Sequence, residues 1–253
     1  MIYLKVHGIP CNNRCRHCYY HGGEQQRLMP LENVEKILVK AAELKSEFDF
    51  VVVQYFDEMT IHPEWIRILE KQNELGLMYP GFFIPSNGTG IAQLSTSQWK
   101  RLSRIENLEF QFTFYGTGET HDDFAGRTGA YENLVKAVKG VASHGFSWTG
   151  GIIAWPGNVN ELPAIRDEIA SLAPGSTGVG WFLPSWLGRG KDSGIRCTLE
   201  HMEGLGFSTD HFNSEANFIH RIYTQQELGS RLASDSMCGF LSLEIQPDFT
   251  VSS

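Results

Sequence analysis

No part of this sequence comes near the roughly 20 consecutive apolar residues that a membrane-spanning helix requires, so no membrane role is expected. Cations are scarce too: 21 Lys and Arg stand against 29 Asp and Glu, a net charge of −8 over 253 residues. Without a basic excess to neutralise phosphates, nucleic acid is not an expected partner. The opening residues MIYLKVHGIP hold no basic stretch followed by an apolar run, so no secretory signal is expected and a cytoplasmic location follows. Cysteine is sparse, five in all, and in a reducing compartment clustered cysteines point to metal or redox chemistry before disulfides. Apolar material is not lacking. With 42% hydrophobic residues and 12% aromatics the chain can fill a large core, so disorder is excluded and one large α/β domain or two small ones fit the length.

Three of the five cysteines, Cys11, Cys15 and Cys18, crowd into GIPCNNRCRHCYY. A disulfide between two of them leaves the third over. Structural zinc wants four ligands, commonly as two separated pairs; His17 or His21 are conceivable fourths, but no second short-spaced pair exists elsewhere. An iron–sulfur cube needs thiolates converging from a loop and can leave one iron without a protein ligand.

Short apolar or β-branched runs recur at IYLKV (2–6), FVVVQY (50–55), GFFIPS (81–86), LEFQFTFY (108–115), WTGGIIAW (148–155) and VGWFLP (179–184). The fourth alternates, with Phe110, Phe112 and Phe114 on one face, as a strand should. Helical patterns fill the gaps. PLENVEKILVKAAELKSE opens on Pro30 and keeps Val34, Ile37, Leu38, Ala41 and Leu44 on one stripe. HPEWIRILEKQNELG, STSQWKRLSRI, AYENLVKAVKGVASHG and NVNELPAIRDEIASLAP follow. Strands alternating with helices at about 30 residues per unit predict parallel β/α units. A closed barrel of this kind has eight, so six predict an α/β fold that is a partial, open barrel over residues 1–184. Residues 185–253 read as a C-terminal extension: a flexible loop at SWLGRGKDSG, a helix at SEANFIHRIYTQQELGSRLA, and a hairpin in FLSLEIQPDFTVSS around Pro247 and Asp248.

Cys-x3-Cys-x2-Cys after a first strand, with the ring of His17 before the last cysteine, resembles the cluster loop of the radical S-adenosylmethionine (radical SAM) enzymes. Other segments resemble the same family in the same order. QYFDEMTIHPEW follows strand two, where the family often reads Thr-Gly-Gly-Glu-Pro-x-x-His-Pro-Glu; Glu58, His62, Pro63 and Glu64 match, while Phe56, Asp57 and Met59 replace Gly, Gly and Pro. IPSNGTG after strand three is similar to the family's Thr-Asn-Gly segment, and Asn-Gly also marks ordinary turns. FTFYGTGETHDDFAGRTGAYENL after strand four resembles its Val-Ser-Leu-Asp-Gly…His-Asp…Gly-Arg stretch: Thr113 keeps a hydroxyl, Tyr115 replaces an aspartate, and His121, Asp122 and Arg127 match.

The resemblance covers about residues 2–184, and what it implies is specific. Cys11, Cys15 and Cys18 would hold a 4Fe-4S cluster. His17, Glu58, Ser86, Asn87, Thr113 and Arg127 would form the binding site for S-adenosyl-L-methionine, Glu58 holding the ammonium and Arg127 either pairing with the carboxylate or clamping the loop. The implied activity is reductive cleavage of the sulfonium to a 5′-deoxyadenosyl radical that abstracts hydrogen from a substrate. No catalytic acid, base or nucleophile is assigned. MCGFLSLEIQPDFTVSS resembles the start of a SPASM-type C-terminal extension: Cys238, Ile245, Pro247 and Asp248 match, and no further cysteine follows. That likeness implies a peptide or protein side chain as substrate, a small molecule being the other option, and an electron donor such as a flavodoxin or ferredoxin. A non-catalytic scaffold of the same fold is the alternative reading.

Overall fold

The computed structural model describes residues 2–7, 10–24, 28–48, 51–55, 57–184, 188–191, 194–198, 201, 241–245 and 251–252. The six apolar runs are strands: β1 (Ile2–Val6), β2 (Val51–Tyr55), β3 (Phe83–Ser86), β4 (Glu109–Phe114), β5 (Ser147–Ile153) and β6 (Ser176–Phe182). Period two governs β4. Phe110, Phe112 and Phe114 are fully buried toward the helices, while Glu109, Gln111 and Thr113 face the other way and are half-buried. Between the strands run α1 (Leu31–Leu44), α2 (Trp65–Glu74), α3 (Thr96–Leu102), α4 (Gly118–Ala125), α5 (Ala130–Ser143) and α6 (Leu162–Ser171).

Each helix follows local chemistry. Pro30 caps α1 in the extended conformation and Val34, Ile37, Leu38 and Ala41 are buried on its stripe. A capping box between Ser95 and Gln98 starts α3. Asp122 accepts the backbone N–H groups of Gly129 (2.6 Å) and Tyr131 (2.7 Å), satisfying donors at the start of α5.

The strands form two parallel arrays, β2-β1 and β3-β4-β5-β6, with no ladder between β2 and β3 among the described residues. This is the open, partial barrel that the sequence predicts. The hairpin is also present in its strands: β7 (Leu241–Ile245) and β8 (Val251–Ser252) pair antiparallel, the turn around Pro247 and Asp248 lying outside the described residues. The boundary at residue 184 is not a boundary of the sheet. β7 runs parallel to β1 in register, Ile2 opposite Leu241 through Val6 opposite Ile245, giving the order β2-β1-β7-β8. The helix expected over SEANFIHRIYTQQELGSRLA lies outside the described residues, as do Phe56, Trp186 and Cys238. Within SWLGRGKDSG, expected to be a flexible loop, the described residues Gly188–Lys191 form a 3-10 turn. No described helix is long and apolar enough to cross a membrane.

Candidate active site

Parallel strands deliver their following loops to one rim, and here the loops after β1, β2, β3 and β4 enclose a cavity of about 390 Å³. Cys11, Cys15, Cys18 and His17 line it from the first loop, Asp57 and Glu58 from the second, Ser86 from the end of β3 with Asn87 just beyond, and Thr113 from β4 with Tyr115 just beyond. The motifs that the sequence places after successive strands therefore meet.

The cysteine loop is hung on α4. The N–H groups of Arg14 and Arg16 donate to the carbonyls of Ala125 (2.8 Å) and Phe124 (3.0 Å), using acceptors that the helix end leaves unpaired. Gly126, at φ +65, lets the chain turn there; a Cβ on it would sit 2.9 Å from the Arg14 carbonyl oxygen. Gly22 faces two sulfurs at once. A Cβ at Gly22 would lie 3.4 Å from Cys11 Sγ and 3.4 Å from Cys18 Sγ, so the thiols converge on a common space.

Each sulfur also receives a donor from a different source. The N–H of Gly22 donates to Cys18 Sγ (3.0 Å) and the Asn87 amide to Cys11 Sγ (3.8 Å), while the Tyr115 hydroxyl bonds to Cys15. Burial pushes the Cys15 thiol up to about 11, with Tyr115 and Arg189 opposing. Burial and the nearby Glu58 carboxylate raise Cys11 further. Cys11, Cys15, Cys18 and Cys197 are reduced, none of them in a disulfide. No three described His, Cys, Asp or Glu side chains stand close enough to hold a single metal ion.

Glu58 is 2% exposed and unusually well supplied with donors. Its Oε1 accepts from the Thr60 N–H (3.3 Å), the Thr60 hydroxyl and the Ser86 hydroxyl (2.9 Å); its Oε2 accepts from the Asn87 N–H (2.5 Å). Burial raises its carboxyl, and these bonds pull against that. Glu58 thus bridges the ends of β2 and β3, where no backbone ladder runs. The donors are unevenly shared: three crowd Oε1, while Oε2 accepts one bond of the two it can take. Asp57, where the family has glycine, holds a glycine-like backbone at φ +70.

His17 packs between Tyr115 (ring centroids 5.1 Å) and Phe124 (5.6 Å), and burial together with the Arg189 charge lowers it to about 4, leaving a neutral ring on the wall at pH 7. Arg127 stands apart from the other predicted site residues. Its guanidinium donates to Asn13 Oδ1 (2.6 Å) and Thr89 Oγ1 (2.8 Å); Asn13 lines the cavity and Arg127 does not, so Arg127 ties the cysteine loop to the turn after β3 from outside the cavity. His121 accepts the Tyr115 N–H (3.2 Å) and is 2% exposed, so the His-Asp pair serves packing and capping.

Two positioning residues escape sequence reasoning. Asn158 donates to the carbonyls of Tyr115 (3.0 Å) and Ile153 (2.9 Å), and Trp155 Nε1 donates to the same Tyr115 carbonyl (2.7 Å). Together they fix the residue that touches Cys15. Nothing in the local sequence around Asn158 signals a partner 43 residues away.

The family model described as Radical SAM superfamily matches residues 6–169, and the chain belongs to that superfamily, whose members use a 4Fe-4S cluster and S-adenosylmethionine. No curated protein matches the chain. Among solved structures, Streptococcus suis SuiB bound to S-adenosylmethionine superposes with a TM-score of 0.65 at 12% identity, covering 98% of this chain and 59% of SuiB. SuiB bound to its precursor peptide SuiA gives 0.67 at 13%, covering 98% and 58%. Native anSMEcpe with bound AdoMet gives 0.63 at 13%, covering 99% and 74%. At such identities the likeness establishes the fold. The chain spans about 59% of the length of SuiB.

Proposed function

We propose that this chain is a radical SAM enzyme acting on a peptide or protein side chain, with Cys11, Cys15 and Cys18 as the cluster ligands. The convergence of three donor-supported thiols with Glu58, Asn87 and Thr113 around one cavity carries this reading. When bound, the cofactor pair supplies one-electron reductive cleavage of a sulfonium, which no side chain can perform.

The residues of the chain do the rest. The N–H of Gly22, the Asn87 amide and the Tyr115 hydroxyl stabilise thiolate charge and tune the cluster. Tyr115, Phe124 and Trp155, packed at centroid distances of 4.6 and 4.9 Å, keep water from Cys15. Glu58 Oε2 would accept one N–H of the cofactor ammonium, Ser86 orients that carboxylate, and Thr113 would present a hydroxyl to the ribose. Neutral His17 offers a ring face without charge. Gln54 and Gln111 line the same cavity, and their amides suit the backbone groups of an extended peptide. SuiB bound to SuiA supports a peptide substrate by analogy of fold. A flavodoxin- or ferredoxin-type protein would deliver the electron.

The test is anaerobic reconstitution with iron and sulfide, reduction, addition of S-adenosylmethionine and assay for 5′-deoxyadenosine. The expected result is formation that Cys15→Ala abolishes. An intact cluster with no cleavage under several reductants overturns the catalytic reading in favour of a scaffold; bound zinc without acid-labile sulfide overturns the cluster.

A further inference from the structure

Gly188–Lys191 lies beyond the segment that the family model matches, yet it is fastened to the cysteine loop. Four hydrogen bonds run from Arg189. Its backbone N–H donates to the Cys18 carbonyl (3.1 Å), its Nε to the Cys15 carbonyl (2.9 Å), its Nη2 to the Gly22 carbonyl (2.7 Å) and its Nη1 to the Glu24 carboxylate (2.8 Å). One residue therefore ties together positions 15, 18, 22 and 24. Gly188 makes the approach feasible: at φ +57, any Cβ there would fall 2.3 Å from the Cys18 carbonyl oxygen.

The chemistry of the contact is particular to arginine. Its planar fork sends Nε and Nη2 to two carbonyls and Nη1 to a carboxylate, which the compact ammonium of lysine cannot reproduce. The side chain is 17% exposed, whereas Glu24 is 44% exposed and its charge is screened by solvent. The positive charge is thus felt mainly on the loop side, next to Cys15.

We propose that Arg189 is a positioning residue for the cluster: it locks the ligand loop before loading, and its charge favours the reduced, more negative state. This rests on the reading of Cys11, Cys15 and Cys18 as cluster ligands. It places a determinant of cluster retention and potential in the extension, outside the segment that the family model matches.

The test compares wild type, Arg189→Met and Arg189→Lys after anaerobic reconstitution. Iron loss to a chelator is followed by the visible absorbance, and the midpoint potential by reductive titration of the electron paramagnetic resonance signal. Both variants are expected to lose iron about 10-fold faster than wild type. The midpoint of Arg189→Met should move to more negative potential, and that of Arg189→Lys should stay at the wild-type value. Wild-type retention in both variants overturns the proposal, as does an unmoved midpoint in Arg189→Met, which would leave Arg189 a mere structural tie. If Arg189→Met does not fold, wild-type retention in Arg189→Lys overturns it alone. Failure of the wild type to take up iron and sulfide would instead remove the functional reading beneath it.

Discussion

At Asp57 a single dihedral angle carries information. A non-glycine residue at φ +70 stores strain on the order of 1 kcal/mol, at the low end for such sites because aspartate tolerates the left-handed region. Its contact with His7 is long, 3.9 Å, and offsets little of this. Urea midpoints are expected to rank Asp57→Gly above wild type and wild type above Asp57→Ala, with Gly and Ala roughly 2 kcal/mol apart. Equal midpoints for Gly and Ala would show that backbone conformation does not govern this site. His121 makes a prediction about pH. Burial lowers its folded pKa from 6.5 to about 4, so between those values the unfolded chain binds more protons and stability rises with pH. The stabilisation is present above pH 6.5 and is lost as pH falls toward 4, on the order of 3 kcal/mol in full. Glu58, whose pKa is raised, has the opposite sign, so the comparison must be made within one variant series. His121→Gln, measured by urea unfolding at pH 7 and pH 5, should show a shallower fall than wild type.

Among the elements, α4 connects the most parts. Its final carbonyls hold the cysteine loop, its His121 supports the Tyr115 backbone, and its Asp122 caps α5. Asp122→Ala should lower stability by about 1–2 kcal/mol through the two donors left without a partner, read as a lower thermal midpoint. The sequence does not announce α4. GETHDDFA carries four ionisable side chains in a row of five residues and buries only His121, Phe124 and Ala125, a pattern too short and polar for helical periodicity to show. The strands are legible for the opposite reason. The phenylalanines of β4 alternate over the whole strand, and each cofactor motif follows such a run, so order alone places the motifs on one rim. Arg189, Asn158 and Trp155 are not legible, because their partners lie far away along the chain and GRGKDSG has the composition of a loop.

At the scale of the whole molecule, the barrel has a seam between β2 and β3, and Glu58 closes it with side-chain bonds in place of a ladder. Glu58→Gln would turn either its amide donor or a weaker acceptor toward the Asn87 N–H. About 2 kcal/mol should be lost at this buried site, with amide hydrogen exchange in β3 faster than in wild type while β5 is unaffected. Uniform acceleration across both sheets would mean that the seam is not a local weak point. The sulfurs depend on this closure as well, since Asn87 is shared between Glu58 and Cys11. Because the partners of the three thiols come from Gly22, from the end of β3 and from the end of β4, a nascent chain shorter than about 115 residues has its cysteines but not their surroundings. On the proposed reading of these thiols as cluster ligands, maturation has a sequence in time: the polypeptide first closes its rim, and only afterwards is iron delivery productive.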